Sequence, residues 1–116
     1  MKMLQVTIRT NKFEEELVFY KEIVGLKVVR DLREKGRGIV FLSDSEGDTC
    51  IEIIDTPDAD NAGNQMLSIG FDSGDADKMR EKLIALGMEV SPMESPAPYV
   101  RFFFVKDPAG VTVQVM

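Results

Sequence analysis

The chain has 116 residues, 44% of them hydrophobic and 29% charged, which supplies a core for one compact domain and argues against a disordered chain. Lys plus Arg is 14 against 20 for Asp plus Glu, a formal net charge of -6 that sets nucleic acid aside as a partner. No histidine is present, which removes His-based acid–base catalysis, Ser-His triads and imidazole-ligated metals together.

The N-terminus, MKMLQVTIRT, has a basic start but no long apolar run and no cleavage pattern, so no export signal is expected. No stretch approaches the roughly 20 apolar residues of a membrane span, and no membrane partner is expected. Leu4, Val6 and Ile8 alternate with Gln5, Thr7 and Arg9, a period of two that predicts a strand with distinct faces. Asn11 offers a helix cap, and Glu14, Glu15 and Glu16 suit the positive end of a helix dipole. Phe13, Leu17, Tyr20 and Val24 recur at helical spacing, and Gly25 follows where a left-handed turn commonly ends a helix. Leu26 to Arg33 reads as a strand, residues 33–38 as a turn and Ile39 to Ser43 as a second strand. Asp44-Ser45-Glu46-Gly47 is then a hairpin turn and Thr49 to Asp55 a third strand.

Residues 56–65, TPDADNAGNQ, lack apolar periodicity and read as a linker. Beyond it Met66 to Asp72 alternates again, with Leu67, Ile69 and Phe71 opposite Ser68 and Gly70. Residues 75–86 form a helix with Ala76, Met79, Leu83 and Leu86 on one face, closed by Gly87. Met88 to Ser91 is a short strand, and Pro92, Pro96 and Pro98 punctuate a loop. Val100 to Lys106 is a strand, Asp107-Pro108-Ala109-Gly110 a turn, and Val111 to Met116 the last strand.

The order of elements repeats. Ser68 stands 63 positions after Gln5, Gly87 stands 62 after Gly25, Asp107 stands 63 after Asp44 and Gln114 stands 62 after Glu52. A near-constant offset across strand, helix end, turn and final strand predicts an α+β protein of two βαβββ modules, one over residues 1–55 and one over 66–116. The first and last strand of each module carry a strongly apolar face, Leu4/Val6/Ile8, Ile51/Ile53, Leu67/Ile69/Phe71 and Val111/Val113/Val115, expected to pack beneath the helices. The opposite faces present Gln5, Thr7 and Arg9; Cys50, Glu52 and Ile54; Ser68 and Gly70; Thr112 and Gln114. Such a face is either a solvated outer surface or a surface that converges on a ligand, and periodicity alone does not choose between them.

Gln5-Val6-Thr7-Ile8, Phe19-Tyr20, Val24-Gly25-Leu26, Ile51-Glu52-Ile53 and Lys106-Asp107-Pro108-Ala109-Gly110 together make the whole chain resemble the vicinal oxygen chelate superfamily. That superfamily includes glyoxalase I, extradiol dioxygenases and bleomycin-resistance proteins. The resemblance implies paired modules whose mostly antiparallel sheets curl into a glyoxalase-like cup with the helices on its convex side, usually in a homodimer. It also implies a divalent metal in catalytic members, with ligands that fall by position on Gln5, Glu52, Ser68 and Gln114. Only Glu52 is anionic. One carboxylate among neutral oxygens is a poor match for a tightly held transition metal, so no metal cofactor is expected.

Glu52 is read in three ways: as a carboxylate paired with Arg9 or Arg101, as a ligand-binding group, or as a lone general base and weak catalytic candidate. Cys50, the single cysteine, lacks an activating base and reads as a lining residue; it cannot form an internal disulfide, which fits a reducing cytoplasm. Arg9 and Arg101 either hold an anionic ligand group or serve the rim. Of Phe102, Phe103 and Phe104, two share one strand face and one the other, so at least one could line the cup or a dimer contact, with core filling as the default. Residues 91–98 with Tyr99 read as a connecting loop, with a lid over the cup as the functional alternative.

The expected function is small-molecule binding without metal, on the pattern of bleomycin-resistance proteins. Gln5, Thr7, Glu52, Ser68 and Gln114 would supply hydrogen bonds and Arg9 or Arg101 a positive charge. The alternatives are a metal-dependent lyase or isomerase of glyoxalase I type, with ligands completed by a partner chain, and a scaffold whose cup is filled by side chains.

Overall fold

Alternating apolar and polar residues can bury one sheet face and leave the other open, and both halves of this chain use that pattern. The computed structural model describes residues 1–44, 49–61 and 64–116, and of residues 64 and 65 the backbone only. The chain divides into two compact units, Met1–Ala62 and Gly63–Met116. The hairpin turn expected at Asp44-Ser45-Glu46-Gly47 falls, apart from Asp44, outside the described residues.

The first unit runs β1 (Gln5–Thr10), α1 (Phe13–Val18), β2 (Lys27–Asp31), β3 (Ile39–Ser43) and β4 (Cys50–Asp55). Its sheet order is β1-β4-β3-β2, with β1 parallel to β4 and the other neighbours antiparallel. Register stacks the apolar residues in rows. Ile8 lies beside Ile53 and Ile53 beside Val40, while Ile51 lies beside Leu42. All five are buried, with Ile53, Val40 and Leu42 at 0% exposure. Against β4 packs α1, which continues into a wider π-helical turn over Phe19–Ile23. Phe13, Leu17 and Tyr20 are buried as their spacing predicts; Glu16, three residues after Phe13, lies on the same helical face, and Phe19 joins them at the start of the wider turn. Gly25 adopts φ 88, the left-handed conformation that ends the helix.

Three expectations for this unit need correction. Asn11 does not cap α1: Lys12 occupies the cap position without a side-chain bond, and Asn11 instead donates to the Ala59 carbonyl at 2.8 Å. The β2 strand stops at Asp31, because a 3-10 turn over Arg33–Lys35 starts where Asp31 accepts from the Arg33 backbone N–H. Leu4 is 62% exposed, since ladder pairing begins only at Gln5.

The second unit repeats the plan with β5 (Asn64–Phe71), α2 (Ala76–Ala85), β6 (Glu94–Ala97), β7 (Val100–Lys106) and β8 (Val111–Val115). Its order is β5-β8-β7-β6, again with one parallel pair, β5 with β8. Val113 pairs with Ile69 and Val105, and Val115 with Phe71 and Phe103. Asp75 caps α2 by accepting from the Lys78 N–H at 3.0 Å, and Gly87, at φ 83, closes it. The β5 strand begins at Asn64, so the last two residues of the expected linker belong to a strand. Leu67 is exposed because register shifts between Asn64 and Ser68, and Leu86 is exposed because the helix ends before it. Met88 to Ser91 contributes only a single bridge, Val90 to Val105. The expected proline loop is partly a strand: Glu94–Ala97 pairs with β7 through a two-residue turn at Pro98 and Tyr99. Pro96 is tolerated there because β6 lies at the sheet edge, where a missing N–H breaks no ladder bond.

No helix among the described residues is long and apolar enough to cross a membrane.

Candidate functional site

In the first unit the parallel register of β1 against β4 sets Thr7 beside Glu52 and Gln5 beside Cys50. Because side chains alternate, Gln5, Thr7 and Glu52 share the face opposite the apolar rows. Both neighbours turn donors onto one oxygen: the Thr7 hydroxyl donates to Oε1 of Glu52 at 2.7 Å, and the Gln5 amide nitrogen donates to the same oxygen at 2.9 Å. Among the described residues, Oε2 of Glu52 accepts no hydrogen bond. The residue is only 9% exposed, so the carboxylate is largely desolvated while one oxygen has acceptor capacity left to satisfy.

Across the sheet the row continues from Thr7 and Glu52 to Phe41 on β3 and Arg30 on β2. The Arg30 guanidinium lies 5.6 Å from the centre of the Phe41 ring, a cation–π contact. The face therefore presents a carboxylate flanked by neutral donors on one side and an aromatic ring on the other.

The second unit repeats the row with altered chemistry. Gln114 of β8 stands beside Gly70 and Phe104, and Thr112 beside Ser68 and Lys106. Phe104 stands 63 positions after Phe41, as Gly70 does after Thr7. Gln114 thus occupies in this unit the place that Glu52 holds in the first. Lys106 Nζ donates to the Thr112 hydroxyl at 2.6 Å. Phe102 and Phe104 share the face and pack edge to face at 5.6 Å, while Phe103 points into the core at 0% exposure.

The arginine partnerships differ from expectation. Glu52 pairs with neither Arg9 nor Arg101. Arg101 binds Asp77 in the first turn of α2 through two hydrogen bonds of 2.6 and 2.8 Å. That contact holds the Asp77 carboxyl below the usual carboxylate range and raises the guanidinium. Arg9 is exposed on β1 beside Ile54. Cys50 is a half-buried free thiol on the Glu52 face. Tyr99, the residue considered for a lid, is 99% exposed at the tip of the β6–β7 hairpin.

Of the sequence candidates, Gln5, Thr7 and Glu52 are brought together. Ser68 and Gln114 lie on neighbouring strands of the second unit without a direct register pair. Phe41, Arg30 and Lys106 on these faces were not singled out from the sequence, and Phe104 only as one of three phenylalanines of which at least one could line the cup. The repeat offset could have found Phe41 and Phe104, which it relates as it relates Gln5 and Ser68. Among the described residues no three His, Cys, Asp or Glu side chains gather as a metal-binding group.

Residues 2–115 match the family described as Glyoxalase/Bleomycin resistance protein/Dioxygenase superfamily. Among curated proteins, none matches the sequence. Solved structures with the same fold include the antibiotic-binding protein TnmS3 from Streptomyces sp. CB03234, at 19% identity and TM-score 0.76, covering 99% of this chain and 93% of that one. The trypanothione-dependent glyoxalase I of Leishmania major is similar at 20% identity and TM-score 0.76, over 100% of this chain and 86% of that one. Lactoylglutathione lyase from Agrobacterium tumefaciens is similar at 18% identity and TM-score 0.71, over 98% and 91%. At these identities the likeness establishes fold alone.

Proposed function

The chain belongs to the glyoxalase/bleomycin resistance protein/dioxygenase superfamily, and on that premise we propose that it is a small-molecule binding protein of the bleomycin-resistance type that works without a divalent metal. The observation that carries this reading is the state of Glu52. One oxygen is held by the Thr7 hydroxyl and the Gln5 amide, and the other is left to accept from a ligand. A desolvated carboxylate with spare acceptor capacity favours a ligand hydroxyl, amide or protonated amine, and the Phe41 ring beside it favours an apolar or cationic neighbour.

The residues present do not fit the metal that catalytic relatives use. Of Gln5, Glu52, Ser68 and Gln114, one alone carries negative charge. Gln5 directs its N–H donor, not its carbonyl, at Glu52, which is the arrangement of an acceptor being satisfied and not of two ligands sharing an ion. Within the second unit Gln114 and Ser68 would supply neutral oxygens, and within the first Arg9 would supply a charge, since Arg101 is held by Asp77. The alternative, a metal-dependent lyase or isomerase of glyoxalase I type, draws support from the fold likeness to such enzymes. It would need acidic ligands from outside this set. We place the protein in the cytoplasm as a homodimer, a setting that suits its single free thiol.

The test is a thermal-shift screen of the purified protein against hydroxyl- and amine-bearing compounds, with and without EDTA. Binding should survive the chelator and be lost or strongly weakened in E52A. A ligand whose stabilising effect vanishes with EDTA would contradict the proposal.

A further inference from the structure

The second unit contains a cleft of about 460 Å³ whose walls are Met88 to Ser91 on one side and Phe104, Val105, Lys106 and Thr112 on the other. Its walls are fixed by hydrogen bonds. Ser91 N–H donates to the Phe104 carbonyl at 2.9 Å, the Phe104 N–H donates back to the Ser91 hydroxyl at 2.7 Å, and Val90 bridges Val105. Arg80 secures the segment from α2 by donating to the Ser91 carbonyl at 2.9 Å. A cavity held this way needs little ordering when a ligand enters.

The chemistry inside is specific. Among the described residues Lys106 is the one cation in the wall, and the neutral Thr112 hydroxyl is its hydrogen-bond partner at 2.6 Å. Phe104 stands two residues before Lys106 on the same strand face, with its ring braced edge-on by Phe102. An ammonium oriented by a hydroxyl, on a residue roughly 7 Å along the strand backbone from the one that carries a braced aromatic ring, is placed to take a carboxylate and the ring that bears it. Glu89 on the opposite wall forms no ion pair with Lys106, and its charge opposes a second acidic group on the ligand.

We propose that this cleft binds aromatic monocarboxylates, with Lys106 and Thr112 holding the carboxylate and Phe104 packing against the ring. The site deepens the small-molecule binding reading given above, because Phe104 and Thr112 lie on the polar face equivalent to that of Phe41 and Cys50. It uses residues that the Glu52 cluster does not.

The probe is benzoate, titrated into the full-length ¹⁵N-labelled protein and followed by two-dimensional NMR. Saturable shifts should concentrate on the amides of residues 88–91, 104–106 and 112. Benzamide and phthalate should each bind about tenfold more weakly or worse, as expected for loss of one charge-assisted contact or gain of one repulsion. K106M should lose a similar factor while K106R keeps most of the affinity, with the rest of the spectrum unchanged as the check on folding. Equal affinity for benzoate and benzamide, unaltered benzoate binding in K106M, or shifts centred elsewhere would each overturn the assignment. Failure here with chelator-resistant, Glu52-dependent binding intact would remove this site and leave the proposed function standing. Loss of the Glu52-dependent binding alone would do the reverse.

Discussion

Glu52 receives both of its hydrogen bonds on one oxygen because of strand register. Parallel pairing places Thr7 directly beside it and Gln5 one side-chain step back on the same face, so both donors approach from the β1 side. The Glu52 position was legible in the alternation of its strand, but its partners were not. Long side chains choose partners by three-dimensional proximity, and Arg101 finds Asp77, 24 residues away in sequence, within its own unit. A second carboxylate shows the same rule at short range. Asp31 accepts from the Arg33 side chain and backbone, and these bonds lower its pKa from 3.8 to about 2. A depressed carboxyl contributes stability that is fully present above the unfolded value of 3.8 and is lost as pH falls through about 2. The pair is exposed, so its contribution to stability is small. An NMR titration should place the Asp31 midpoint near 2 and should find it moved back up toward the ordinary value in R33A. An unchanged midpoint in that variant would refute the assigned cause.

At the scale of elements, α2 separates what periodicity can and cannot reveal. Ala76 and Leu83 are buried as their helical spacing predicts, yet Leu86 on the same predicted face is 56% exposed because the helix stops at Ala85. Periodicity identifies a face but not where the helix leaves the sheet. Leu83→Ala should therefore cost about 2–5 kcal/mol in urea denaturation, the range for truncating a buried leucine. Leu86→Ala should cost under about 0.5 kcal/mol, as for an exposed site. Equal losses would contradict the packing. The β6 strand was hidden for a different reason. Three prolines between Pro92 and Pro98 suggest a loop, and only the sheet order reveals an edge position that accepts Pro96. The π-helical turn after α1 was similarly invisible, since the spacing of Phe13, Leu17 and Tyr20 suits an ordinary helix and gives no sign that Phe19 is buried as well.

At the scale of the whole molecule, the two units share one strand plan because a near-constant offset relates them. Ile53 and Val115, Val40 and Phe103, and Leu42 and Val105 hold equivalent core places. The duplicated fold was therefore largely readable from the sequence, and the family match over residues 2–115 agrees with it. The function was less readable. The same polar row carries a carboxylate in one unit and an amide in the other, and side-chain chemistry at a few positions distinguishes recognition from catalysis on a common scaffold. Binding without a catalytic metal can be checked by elemental analysis of the purified protein after dialysis against zinc, nickel, manganese and iron. Each metal should remain far below one ion per chain. Retention of any of them in stoichiometric amount, with loss of that retention in E52Q, would contradict it.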